Sequence, residues 1–167
     1  MSCKFCGYGF SVVDSLNIEC EDDFEETMDP LMAAKFLKNH RKAFGKSEQE
    51  KEILKAIDNA KNDDDLEDAM MNLVENKYYD EKTLDYGIGA VVSTVMRRET
   101  GINFKYYGPE VDFCTFPSVV FVTLYPWEFN EVEKALKESD LHDICQRYMK
   151  EIGLDDTPGE TELEYYG

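Results

Sequence analysis

Basic residues are scarce in this chain. Eighteen Lys and Arg stand against thirty-six Asp and Glu, giving a formal charge of −18 and a pI near 4.4. A surface of that sign is repelled by nucleic acid and by anionic membrane, so direct binding to either is not expected. Long apolar runs are missing as well. The most apolar stretch, SVVFVTLY at 118–125, is far too short to span a bilayer. The N-terminus has no apolar core of a secretory leader, so none is expected. Cysteine is sparse: five residues, an odd count, at positions 3, 6, 20, 114 and 145. That spacing suits reduced thiols in a cytoplasm better than a disulfide framework. Histidine is sparser, with only His40 and His142. There is no Gly-x-Ser-x-Gly, no Walker loop, no His-Glu-x-x-His and no EF-hand loop, so the common hydrolase, nucleotide and calcium templates are not met.

What remains is a well-stocked globular chain. The apolar fraction is 43%, with ten Phe and ten Tyr, enough for a sizeable core within one domain spanning 1–167. The charge is unevenly laid out. Residues 1–30 carry eight acids and one base, whereas residues 31–61 carry four acids and eight bases. Residues 62–100 carry ten acids and four bases, and 101–167 carry fourteen and five. One basic segment thus lies in an acidic chain.

FCGYGFSVV, starting at Phe5, is aromatic and β-branched and predicts a strand. Gly7 and Gly9 fall on one face of it, where a neighbour can come close to the backbone. The acidic loop 19–29 follows, with seven acids between Glu19 and Asp29. Asp29-Pro30 predicts a helix start, and the helix runs to Phe44 with Gly45 as its stop. Ala33, Phe36, Leu37, His40 and Phe44 share its apolar face; Lys35, Lys38, Lys42 and Lys46 share the opposite one. Ser47-x-x-Glu50 is a capping box opening a second helix with Ile53, Leu54 and Ile57 inward. A third begins near Asp63–Asp65, acids suited to the positive end of a helix. It turns Leu66, Ala69, Met70, Leu73 and Val74 inward and Asp64, Glu67, Asp68 and Glu75 outward. A fourth covers Leu84 to Thr100, with Ile88, Val91, Val92, Val95 and Met96 inward and Gly101 as its stop. INFKYY and SVVFVTLY predict two strands, and helices follow at Asn130–Lys137 and Asp140–Ile152. The acidic tail 154–167 is expected either to fray or to add an edge strand. The order β-α-α-α-α-β-β-α-α is α+β: a small, mostly antiparallel sheet of about three strands packed with about six helices.

Chemical handles are few. Cys3-x-x-Cys6-Gly7 is half of a zinc ribbon, and the matching half is absent. Cys3, Cys6, His142 and Cys145 are the four residues that would complete a tetrahedron. Against this, a strand points Cys3 and Cys6 to opposite faces. Cys145 sits in an apolar stripe with Leu141, Ile144, Tyr148 and Ile152, where a small buried thiol is ordinary. No metal and no cofactor is therefore expected. His40 lies mid-face on an apolar helix and is expected to be a satisfied core histidine. DYGIGA, Asp85–Ala90, has a Gly-x-Gly at a helix start but no preceding strand; close helix packing accounts for it better than phosphate binding. Trp127, the sole tryptophan, sits at a strand-to-helix corner and is expected to pack as core or staple. Of Tyr106 and Tyr107, adjacent on a strand, at least one is expected to face solvent. The lysine stripe is expected to offset neighbouring acidic helices.

The charge layout carries the functional expectation: a non-enzymatic binding protein that presents carboxylates to a basic partner, such as a nucleic-acid-binding enzyme. Carboxylates at i, i+3 and i+4 on a helix lie about 5–6 Å apart at Cβ, a spacing that imitates a phosphate array. The candidate contacts are Glu21, Asp22, Asp23, Glu25 and Glu26 in the loop, and Asp64, Glu67, Asp68 and Glu75 on the third helix. In size, charge and helix-borne acids the chain is similar to acidic DNA-mimic inhibitors, phage and mobile-element proteins that block restriction or CRISPR nucleases. No family motif is matched. Two alternatives stay open. One is a cytosolic accessory or immunity-type protein whose acidity only serves solubility. The other is a small enzyme with a site around His40 or His142.

Overall fold

A computed structural model describes residues 2–11, 30–75, 79–80, 85–107, 119–155 and 157–166. The chain is α+β. Strand β1 (Ser2–Ser11) is followed by helices α1 (Pro30–Asn39), α2 (Arg41–Phe44), α3 (Glu48–Asp58) and α4 (Asp63–Glu75). Two short strands, β2 (Tyr79–Asp80) and β3 (Asp85–Tyr86), pair with each other and lead into α5 (Gly87–Thr100). Then come β4 (Lys105–Tyr107), β5 (Val119–Thr123), a 3-10 turn (Pro126–Glu128), α6 (Glu131–Lys134), α7 (Glu138–Glu151) and β6 (Gly159–Tyr166). The main sheet is antiparallel with strand order β4-β5-β1-β6. No helix among the described residues is long and apolar enough to cross a membrane.

Strand alternation sets what the sheet buries. Tyr8 and Phe10 share a face with Val120, Val122 and Tyr106, and all five join the core beneath the helices. Gly7 and Gly9 lie on the other face, opposite Thr123 and Phe121. A Cβ on Gly9 would sit 1.9 Å from the Val120 carbonyl oxygen, and one on Gly7 would sit 2.8 Å from the Phe121 ring. The close approach expected of these glycines is therefore met by the neighbouring strand. Gly89 plays the same part for α5: its Cβ would fall 2.0 Å from the Tyr106 ring. Packing, not phosphate binding, thus explains Gly89, the second glycine of DYGIGA.

The helices bury the stripes that periodicity assigns. Ala33, Phe36, Leu37 and Phe44 meet Leu54, Ile57, Ala69 and Met70, and beside them Val91, Val92, Val95 and Met96 of α5 and Leu141, Cys145, Tyr148 and Ile152 of α7. Each large apolar side chain removed from water contributes about 1.5–3 kcal/mol. The Ser47 hydroxyl oxygen accepts the Glu50 N–H at 3.2 Å, the forward half of the expected box. The Glu50 carboxylate reaches back one residue further than expected, to the Lys46 N–H at 3.1 Å. The start of α4 is capped by Asn62, whose side-chain oxygen accepts the Asp65 N–H at 2.9 Å. Gly101 and Gly153 end their helices with φ of +73° and +79°, a left-handed conformation that glycine adopts without strain.

Three expectations need correction. The single helix from Pro30 to Phe44 is broken at His40, whose φ of −111° and ψ of 25° leave the helical region. The helix expected from Leu84 starts at Gly87, because Asp85 and Tyr86 pair with β2. The two C-terminal helices fall at Glu131–Lys134 and Glu138–Glu151 rather than at the bounds expected. The tail takes the second of its two expected forms, an edge strand: β6 pairs with β1 from Gly9↔Gly159 to Ser2↔Tyr166, as the fourth strand of the main sheet.

Candidate functional site

Three of the expected contact residues are placed with their surroundings. Asp64, Glu67 and Asp68 are exposed on the outer face of α4. Ala69 and Met70, on the inner face of the same turns, are buried in the core, with Leu66 packed against it. The helix is therefore held by its apolar stripe against α1 and α3, and its carboxylates ride on a fixed backbone. Among the described residues, none of these three acids is ion-paired. Glu75 closes α4, but its side chain lies outside the described residues, as do Glu21, Asp22, Asp23, Glu25 and Glu26 entirely.

The lysine stripe is exposed as expected. Lys35 and Lys38 border a hollow of about 310 Å³ between α1 and α4, floored by Leu31, Met32, Ala34 and Leu66, with Asp63 on its rim. Basic and acidic helices thus stand side by side at this point. A second hollow, about 160 Å³ between β5 and α7, is lined by Val122, Leu124, Phe129, Leu136 and Leu141. Small-molecule sites usually need roughly twice that volume.

His40 sits at the break between α1 and α2 and has both ring nitrogens engaged. Nδ1 meets the Glu99 carboxylate of α5 at 2.8 Å and Nε2 meets Glu151 of α7 at 2.5 Å. The Tyr148 hydroxyl donates to Glu99 Oε1 at 2.9 Å, an oxygen that also lies 2.7 Å from His40 Nδ1, and the Phe36 ring lies 4.5 Å from the imidazole centre. Burial alone would lower the His40 pKa, but hydrogen bonds and charge from Glu99 and Glu151 outweigh it and raise the value above the ordinary one. Tyr148 is pushed up to about 12 by burial and by the Glu99 carboxylate. With both nitrogens committed, the imidazole has no lone pair turned toward a substrate. The cluster ties three helices together, so the expected satisfied histidine is found, held by carboxylates rather than by backbone. His142 is half-exposed, 3.6 Å from the Asp143 carboxylate next to it in sequence.

The zinc quartet does not assemble from its described members. Cys6 is exposed on β1, which runs unbroken through both cysteines. Cys145 is fully buried, and burial pushes its thiol up to about 12, against the thiolate a metal needs. Among the described residues no group of three or more His, Cys, Asp or Glu is placed to hold a metal ion. The side chain of Cys3 lies outside the described residues.

Trp127 is the main surprise. It is 78% exposed, not packed as core or staple. It stacks on Tyr125 with ring centres 4.9 Å apart and planes 16° off parallel. Of the neighbouring tyrosines expected to differ, Tyr106 is buried, and the Tyr107 side chain lies outside the described residues.

Sequence reasoning missed two polar latches. Glu50 is only 2% exposed and takes a two-pronged contact from Arg98 of α5, at 2.5 and 3.2 Å. Arg98 also donates to the Ala43 carbonyl at the end of α2, at 2.8 Å. Glu133, buried at the start of α6, accepts the Asn103 N–H at 2.7 Å and the Asn130 N–H at 2.9 Å, while Asn130 donates to the Gly101 carbonyl. The capping pattern of Asn130 with Glu133 was a legible signal. Nothing in the sequence pairs Glu50 with Arg98.

No protein-family model, curated protein or solved structure matches this chain.

Proposed function

We propose that this protein is a non-enzymatic acidic binding protein that presents a carboxylate surface, in the manner of a nucleic-acid mimic, to a basic partner such as a nuclease, and thereby inhibits it. The observation that carries the reading is the outer face of α4. Asp64, Glu67 and Asp68 are exposed and unpaired among the described residues, on a helix whose opposite face is anchored in the core. Residues three and four apart on such a face put their charges about 5–6 Å apart at Cβ. Rigid mounting matters because a basic channel rewards charges that need not be ordered on binding. The overall charge of −18 adds long-range attraction toward such a channel. The committed state of His40 supports a binding role over catalysis at that histidine.

The test is capture of the partner from the native host, with and without nuclease treatment, followed by binding of the purified pair. The partner should be basic, its binding should weaken steeply as salt rises, and duplex DNA should compete. Replacing Asp64, Glu67 and Asp68 together by Lys should abolish binding. An affinity indifferent to ionic strength and to this reversal refutes the proposal, and favours an acidity that serves solubility alone.

A further inference from the structure

Trp127 stands apart from every other large apolar side chain described. Of these only Val132, the second residue of α6 and 43% exposed, also stands largely in solvent. An indole this exposed is usually mobile, yet this one is braced. One face lies on the Tyr125 ring, and the Tyr125 hydroxyl oxygen accepts the Cys6 N–H at 3.2 Å, pinning that ring to the middle of β1, just past the last β1–β5 pair. Pro126 separates the two aromatics, and the turn is closed by the Glu128 N–H donating to the Tyr125 carbonyl at 2.9 Å. The Glu128 carboxylate is steered too, since the Thr123 hydroxyl donates to it at 2.8 Å. The rest of the indole is left to solvent, and the residue that follows it in the chain carries a carboxylate held by Thr123.

The surroundings settle the sign of what fits there. From Glu128 to Asp140 the chain has five acids against two lysines, and all of the acids but the buried Glu133 are exposed. Glu131, three residues beyond Glu128 at the start of α6, is paired among the described residues only with Lys134 at 3.0 Å, and both are exposed, so water and salt readily replace that contact. A cation attracted by these carboxylates meets the negative π face of a tryptophan, the ring that binds cations best. Arginine suits the arrangement better than lysine, because its flat guanidinium stacks on an aromatic face while its edge bonds a carboxylate. Preorganisation favours it further: a ring already fixed loses little freedom on binding.

We infer that Trp127, backed by Tyr125 and followed in the chain by the exposed Glu128 and Glu131, is the seat for an arginine side chain on the surface of the basic partner. This inference rests on the reading proposed above and adds a specific anchor to it: the α4 acids supply attraction, and the indole supplies a short-range contact. Tryptophan and arginine are the residues most often found to dominate protein interfaces.

Because Trp127 is the only tryptophan, its fluorescence reports on this seat alone. The probes are hexa-arginine and hexalysine peptides, titrated at low and at moderate salt. Hexa-arginine should change the Trp127 emission saturably and shield it from acrylamide, and hexalysine should do so much less. A labelled hexa-arginine should bind Trp127→Ala about 5- to 30-fold more weakly than the wild type, with Trp127→Phe in between. Far-UV circular dichroism checks that each variant folds. Equal binding of wild type and Trp127→Ala, or emission unmoved at saturation, overturns the seat. So does emission that turns blue with protein concentration alone, which would mean that a second copy covers the indole. The triple Lys variant of α4 separates the two ideas. Loss of affinity in Trp127→Ala alone upholds the seat and removes α4 as its complement. Loss in the α4 variant alone overturns the seat and leaves the proposed function standing. Loss in both supports both, and loss in neither refutes both.

Discussion

Replacing Arg98 by Ala should destabilise the protein more than its position near the end of α5 suggests. The Glu50 carboxylate is buried, and besides the Arg98 guanidinium it accepts the Lys46 N–H and the Ser47 hydroxyl. Removing Arg98 leaves that charge buried without its cation, and takes a donor from the Ala43 carbonyl. Breaking a buried ion pair by deleting one partner typically costs about 3–5 kcal/mol. The Arg98 side chain is 32% exposed, however, so water screens part of the loss, and about 2–3 kcal/mol is the expected cost. For a chain of this length that is a fall in Tm of roughly 5–10 °C. Glu50→Gln should cost less, about 1–2 kcal/mol, because the amide keeps its size and an acceptor for Lys46, and Arg98 can turn to solvent. The double variant should cost less than the two singles together, with a coupling on the order of 1–2 kcal/mol. Urea unfolding followed by circular dichroism measures all three. If Arg98→Ala stays within about 0.5 kcal/mol of wild type, or Glu50→Gln costs more than Arg98→Ala, the reasoning fails.

The His40 cluster makes stability depend on pH. The folded-state pKa is raised by Glu99 and Glu151, so protonation favours the folded state; this stabilisation is complete below the ordinary histidine value of 6.5 and is lost as pH rises through the raised one. Wild type should therefore lose stability across that window while His40→Ala does not, and parallel urea midpoints for the two proteins would contradict it. Cysteine labelling tests the last remnant of the zinc reading: on the folded protein at pH 8, iodoacetamide should modify Cys6, which is exposed, and spare Cys145, whose thiol is held at about 12. Peptide mapping that finds Cys145 labelled as readily as Cys6 would show the core around it to be open.

Local chemistry was legible wherever a short-range rule governs. Ser47 had to cap α3 because its hydroxyl lies within reach of the Glu50 N–H, and Gly101 and Gly153 had to stop helices because they tolerate positive φ. The apolar stripes fixed which side of each helix turned inward, and with that which acids of α4 turned out. The acidic tail was harder. Its alternation of Glu160, Glu162 and Glu164 with Thr161, Leu163 and Tyr165 has strand period, but an acidic strand forms only when a partner supplies the hydrogen bonds, and β1 is distant in sequence. The break at His40 was illegible for a similar reason. Its ring is held by carboxylates 59 and 111 residues away, contacts that no local pattern encodes.

The sequence by itself determined the charge, the apolar faces of the helices and the ends marked by a cap or a glycine, the α+β class, and the glycines that must sit under a close neighbour. These follow from composition and from periodicities of two and 3.6, which act within a few residues. Only the tertiary structure decided the rest: that Glu50 faces Arg98, that His40 bridges two other helices, that the tail closes the sheet, and that Trp127 stands in solvent. Burial of one residue depends on which distant segment arrives beside it. At the Trp127 corner, the 3-10 turn after β5 lays the indole on Tyr125, and nothing described covers its outer face.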